Sequence, residues 1–287
     1  MIDSHCHTFY SKHAKGTVDE LVRASIAAGV SILTITDHAP FPVDRNNRLL
    51  DSELDQYFSD IDRARELYRD DIKILRGLEI DFLPGSNDFN LELLSRYPID
   101  YVIGSIHYVE VPGEHLFKVW ELDRLSNEDF LDHYFANLNE MLGSGLVDAV
   151  GHADTLLRSV SEEVIIPRFE PIIKTLSQQG IAFELNTSAL RKLSINPLDG
   201  KEELGLWSYP SATLFEQMLS HKIPFTIGSD AHEPCDAGAG ISETIRNLIP
   251  YGLKTLSYFE RRQRFDIDVE NCDIKAQYKR PVEDSKS

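Results

Sequence analysis

A chain of 287 residues, 42% hydrophobic and 26% charged, has the material of an ordinary globular enzyme with one large core or two small ones. Its net charge of -18 argues against nucleic acid and anionic membranes as partners, yet admits a small phosphorylated ligand where bound cations reverse the local sign. No apolar run approaches the roughly 20 residues that span a bilayer, and the start Met1-Ile2-Asp3-Ser4-His5 lacks the basic and apolar regions of a signal peptide. Cys6, Cys235 and Cys272 set no even-numbered disulfide framework, so a reducing cytoplasm is expected.

In chain order, short apolar runs that end in polar tags alternate with amphipathic stretches. The first run is Ile2 to His5. A helix follows, opened by the capping box Thr17-Val18-Asp19-Glu20 and closed at Gly29. The next runs are Ser31 to Asp37, Ile72 to Glu79 and Tyr101 to His107. The stretch from Val109 to Leu125 is long for a plain connection and is expected over the mouth of the fold. Ser126-Asn127-Glu128-Asp129 reads as a second capping box, and its helix ends at Gly145. Val147 to His152 is the fifth run, and Ser161-Glu162-Glu163 puts acid into a first helical turn. Gly180 closes that region before the run Ile181 to Asn186. A second long connection, Arg191 to Tyr209, precedes the last run, Ile223 to Asp230. The charged tail from about Asp268 is expected to be peripheral.

Seven strand-helix alternations predict an α/β fold with a mainly parallel sheet. An open sheet serves its ligand at one switch point, whereas a barrel turns all its strand ends towards one mouth. Every run here ends in a polar residue, which favours a barrel of seven strands. No linker or compositional break divides residues 1–287, so one domain is the simplest reading.

The chemistry lies in the tags. In His5-Cys6-His7, alternate strand positions turn both imidazoles to one side and Cys6 away, as a packed residue. His13 follows in a loop and reads alone as a surface histidine. Asp37 beside His38 suits a carboxylate that fixes the imidazole. Glu79 sits in the apolar context Ile74 to Ile80, where a cation partner would offset its burial; pairing with Arg76 is the plainer reading. His107, His152 and the Asp230-x-His232 pair end further strands. Each single histidine could be a satisfied core residue. Together, seven histidines and two carboxylates at one mouth point to a multinuclear site for zinc, manganese or iron. His115, His133 and His221 lie outside this pattern, in loop or helical segments.

The ordered set His5-x-His7, His13, Asp37-His38, Glu79, His107, His152 and Asp230-x-His232 resembles the metal signature of the polymerase-and-histidinol-phosphatase (PHP) superfamily, over residues 1 to about 240. The resemblance implies a distorted seven-stranded TIM-like barrel and three divalent ions. One ion would take His5, His7, Glu79 and Asp230, a second Glu79, His107 and His152, and a third His13, His38 and His232. Gly151-His152-Ala153-Asp154-Thr155-Leu156-Leu157-Arg158 and Glu184 to Lys192 resemble histidinol-phosphatase segments. That implies hydrolysis of L-histidinol phosphate in histidine biosynthesis, with Glu79 and Asp230 holding a bridging hydroxide. Arg158 and Arg191 read either as phosphate clamps or as surface arginines, Asn186 as a neutral donor, and Lys192 as solvated. Asp81, Asp154 and Glu233 read equally as partners for an amine or as structural acids.

Other PHP activities are the first alternatives: nucleotide phosphodiesterase, exonuclease or phosphotyrosine phosphatase. An amidohydrolase also opens with H-x-H, but no lysine ends the fourth run here. A metal-storing or regulatory relative is the non-enzymatic reading.

Overall fold

The computed structural model describes residues 1–196, 198–205 and 211–271. The seven apolar runs form seven parallel strands. These are β1 (Ile2–Asp3), β2 (Ile32–Ile35), β3 (Lys73–Asp81), β4 (Tyr101–Ser105), β7 (Ala149–Val150), β8 (Ala182–Asn186) and β11 (Phe225–Gly228). Two short hairpins interrupt the count: β5 (Tyr108–Glu110) with β6 (Leu116–Lys118), and β9 (Leu193–Ile195) with β10 (Glu202–Leu204). They occupy the two connections that sequence singled out as long.

The sheet order follows the chain, β1-β2-β3-β4-β7-β8-β11, as right-handed strand-helix-strand units require. β1 and β11 meet just beyond their ends, where Ser4 N donates to Ile227 O at 2.8 Å and Asp230 N to His5 O at 2.7 Å. The result is the predicted α/β barrel of seven strands. The paired strands end before most of the polar tags. His5, His38, His107, His152 and Asp230 follow the last regular residue, while Glu79 is still within β3.

The helices α1 (Val18–Ala27), α2 (Leu54–Leu67), α3 (Asn87–Ser95), α4 (Glu128–Gly143), α5 (Glu162–Ile165), α6 (Phe169–Gln179) and α7 (Ala212–Ser220) lie in the barrel connections, and α8 (Ile241–Leu248) follows the last strand. Thr17 and Glu20 form the expected reciprocal cap, with Thr17 N donating to Glu20 Oε2 at 2.7 Å and Glu20 N to Thr17 Oγ1 at 3.2 Å. α4 differs from expectation. Its cap is Asn127, whose Oδ1 accepts from Phe130 N at 3.1 Å; Ser126 lies one residue too early. α6 shows why such segments are helical: Phe169, Ile172, Ile173 and Leu176 form one buried stripe, and Gly180 closes it in the left-handed region at φ 67°.

One contiguous cluster of buried side chains runs from Met1 to Val269. A second, smaller one closes the end of the barrel opposite the tags: Tyr101, Ile103, Ala149, Ala182 and Phe259. Phe259 belongs to an unanticipated hairpin, β12 (Thr255–Glu260) and β13 (Gln263–Asp268). Its two-residue turn, Arg261-Arg262, has positive φ at both positions, which matches the twist of the flanking strands. Arg262 ties the turn to the barrel floor through Asp148 and, at 2.6 Å, Leu146 O. The peripheral tail expected from about Asp268 falls mostly on 272–287, outside the described residues; within them, Val269 is buried.

Candidate metal centre and active site

The nine predicted donors converge at the C-terminal end of the barrel. His5 and His7 point together, as their spacing requires, with their Nε2 atoms 3.0 Å apart. Cys6 between them turns into the core, with Sγ 3.4 Å from Ser229 Oγ. Glu79 is the hub. Its carboxylate lies 3.3 Å from His5, 3.4 Å from His7, 2.9 Å from His38, 3.6 Å from His107 and 3.1 Å from His152. Asp230 Oδ1 lies 3.3 Å from His7 Nε2 and 3.5 Å from His232 Nδ1. His13, on an exposed loop, joins through His232, Nε2 to Nε2 at 3.0 Å. The plainer reading of Glu79 fails, because Arg76 pairs with Asp62 instead.

Among the described residues, four triplets of donor atoms each lie within 4.8 Å of one another: His5, His7, Asp230; His5, Glu79, His152; His38, Glu79, His107; and His7, His38, His232. The set fits cations on a physical ground. Glu79 Oε2 and His38 Nδ1 are buried, 2.9 Å apart, and neither has a hydrogen-bond partner among the described residues. Imidazole nitrogens face one another at 3.0 Å in two places. Nitrogen and carboxylate lone pairs so crowded and so poorly paired suit zinc, manganese or iron. The backbone is bent to present two donors, since His152 and Asp230 have φ of 27° and 51°.

A layer of carboxylates aims the imidazoles. Glu184, fully buried on β8, accepts from His5 Nδ1 at 2.6 Å, from the His152 backbone N–H at 2.8 Å and from Asn186 Nδ2 at 3.0 Å. Gly228 permits this, because a Cβ there would meet His5 Cβ and lie 2.7 Å from Glu184 Oε1. Asp81 Oδ1 takes His107 Nδ1 at 2.8 Å, and its other oxygen takes Arg48 Nη1 at 2.7 Å. Asp37 does not fix His38, its neighbour in sequence. It accepts from Thr8 and Ser11, and Ser11 Oγ lies 3.1 Å from His7 Nδ1. Successive residues diverge at a strand end, so Asp37 faces the His7 side.

Burial and the carboxylates divide the imidazoles. Burial opposes charge on His5 and His107, but Glu184, Glu79 and Asp230 outweigh it at His5, and Asp81 and Glu79 at His107, so both are raised. Burial, helped by neighbouring imidazoles, lowers His7 to about 3, His38 to about 4 and His232 to about 3. These three are neutral at pH 7, the form that ligates metal. Burial opposes ionisation of Glu79 and Asp230 too. The surrounding histidines outweigh it at Glu79, and Lys192 followed by His5 at Asp230, holding both well below the carboxylate range.

Above the donors opens a cavity of about 400 Å³. Arg158 lines it, with Nε donating to Leu193 O at 2.8 Å. Lys192 lines it as well and is not simply solvated: its Nζ lies 2.7 Å from Asp230 Oδ2. Asn186 and Arg191 are not in the lining. Asn186 is buried beneath Asp230, bonded to Glu184 and Ser188. Arg191 spends its guanidinium on Ser229 O at 2.6 Å and Ala239 O at 3.4 Å, bracing the loop after β11. Sequence reasoning missed Arg48, Asp44, Tyr108 and Trp120 in the wall, and Glu184 behind it. The apolar-flanked Glu184, alternate to Asn186 on one strand, carried the same signal as Glu79. His115 and His221 lie exposed, His133 is half-buried, and none of the three lines the cavity.

Residues 3–188 match the family model described as the PHP domain. A relative from Deinococcus radiodurans, named probable histidinol-phosphatase, is 30% identical over 92% of this chain and 98% of its own length. The histidinol-phosphatase of Bacillus subtilis is 23% identical over 82% of this chain and 95% of its own. Among solved structures, a histidinol phosphate phosphatase from Lactococcus lactis, complexed with zinc, L-histidinol and phosphate, superposes with a TM-score of 0.73. It is 20% identical, over 92% of this chain and 98% of that one, a likeness of fold.

Proposed function

The chain belongs to the PHP domain family, and on that footing we propose that it is a metal-dependent phosphomonoesterase that hydrolyses L-histidinol phosphate to L-histidinol and phosphate. The names of the Deinococcus and Bacillus relatives support the substrate, and the single structural observation that carries the chemistry is Glu79 ringed by five imidazoles beneath a cavity. The reaction serves histidine biosynthesis in the cytoplasm.

Three divalent ions would be held by the nine donors, with Glu79 shared between two of them. Bound there, they supply Lewis-acid neutralisation of phosphoryl charge and activate the attacking water. The chain's own residues do the rest. Glu79 and Asp230 keep the attacking oxygen in line with phosphorus. Arg158 and Lys192 present cationic N–H groups to the phosphoryl oxygens, whose charge grows or spreads in the transition state. Lys192 also fixes Asp230 through Oδ2, so that Oδ1 faces His5 and His7. Among the described residues no serine or cysteine lines the cavity, which fits direct attack by water.

The test is phosphate release from L-histidinol phosphate, tyrosine phosphate and mononucleotides on protein of measured metal content. The proposal expects a marked preference for L-histidinol phosphate; equal or greater turnover of another ester rejects it.

A further inference from the structure

We propose that the outer edge of β13 pairs antiparallel with β13 of a second copy of this chain, about a two-fold axis at Phe265, joining two hairpins into one four-stranded sheet. The hairpin stands apart from the barrel sheet, and among the described residues no strand pairs with the outer side of β13. Six consecutive pairs, from Thr255 with Asp268 to Glu260 with Gln263, run in unbroken register with neither bulge nor proline. An edge so regular is a template for another strand, because nothing in its backbone blunts it.

The backbone sets which groups face outwards. Val269 N donates to Lys254 O at 2.9 Å, so by the two-residue alternation of antiparallel pairs Ile267, Phe265 and Gln263 also bond towards β12. The N–H and C=O groups of Arg264, Asp266 and Asp268 therefore turn the other way. An axis through Phe265 sets Arg264 of each copy across from Asp266 of the other, and each of these two pairs can exchange two backbone hydrogen bonds.

The side chains are self-complementary in that register. Arg264 and Asp266 are both exposed. Ser257 Oγ donates to Asp266 Oδ1 at 2.7 Å and Arg264 Nε lies 3.2 Å from the same oxygen, so Oδ2 is left for the guanidinium across the axis. An axis moved by one residue, to Asp266, would oppose two like charges, so charge selects the register. Phe265, 41% exposed, lies on the axis, its ring stacked 5.4 Å from that of Tyr258, and pairing brings two such stacks together. The chain's net charge of -18 keeps copies apart elsewhere, but residues 260–268 carry three basic and three acidic side chains.

The experiment is analytical ultracentrifugation of the full chain over a range of concentrations, with Arg264→Asp and Asp266→Arg, each checked for folding by circular dichroism. Wild type should form a dimer that dissociates on dilution. Either substitution opposes like charges at both pairs and should raise the dimer dissociation constant by at least about tenfold. An equimolar mixture of the two variants opposes unlike charges at both pairs and should recover the wild-type dimer. Hydrogen exchange on wild type needs no variant: the amides of Arg264 and Asp266 should be protected in the dimer and exposed on dilution. A wild type that stays monomeric, a dimer unmoved by either substitution, a mixture that stays monomeric, or equal protection of those two amides in monomer and dimer overturns the proposal.

Discussion

Glu184 touches no part of the cavity, yet it holds two donors, His5 through the side chain and His152 through the backbone. Removing its charge while keeping its shape should loosen both. Glu184→Gln is expected to lower metal affinity or turnover by about 10–100-fold, read as metal retained after dialysis beside kcat. Wild-type retention would show the contact to be incidental. Lys192→Met removes a cation from the cavity and unpins Asp230, so kcat/KM for the phosphate ester should fall by at least about tenfold, with the fold intact by circular dichroism. The convergence of the proposed donors was legible in sequence because histidines recur there at the ends of successive apolar runs, and i, i+2 spacing fixes which side chains face together. Arg191 and Lys192 were not. Neighbouring residues at the end of a short helical turn point apart, and only the fold decides that Lys192 reaches Asp230 while Arg191 braces Ser229 O.

The elements divide along the same line. All seven barrel strands could be read from β-branched runs bounded by turn residues, because burial on both faces leaves a local signature. The hairpin β12–β13 could not, since the outward strand β13 is largely exposed and polar and only Leu256, Ser257 and Phe259 of its partner are buried. Its effect is nonetheless on the core. Phe259 is 5% exposed and its ring lies 5.3 Å from that of Tyr101, sealing the barrel floor. Phe259→Ala is expected to destabilise the protein by about 3–5 kcal/mol, measured by urea unfolding, with little change in KM because the cavity lies at the other end. A loss of under about 1 kcal/mol would mean the floor does not depend on this plug.

At the scale of the whole molecule, the barrel gathers acids and imidazoles that repel or poorly satisfy one another until cations join them. The net charge of -18 adds to that repulsion. Stripping the metal should therefore lower the thermal midpoint as well as abolish turnover, and metal should restore both. Donors scattered along the sequence from His5 to His232 explain why the site appears only in the folded chain. The most direct measurement is metal content per chain against rate of phosphate release from L-histidinol phosphate, as chelated protein is titrated with zinc or manganese. The account predicts tight uptake of about three ions, with activity rising as the shared Glu79 positions fill, and no activity without metal. Hydrolysis at full rate by metal-free protein, or saturating uptake with no hydrolysis of the ester, would contradict it.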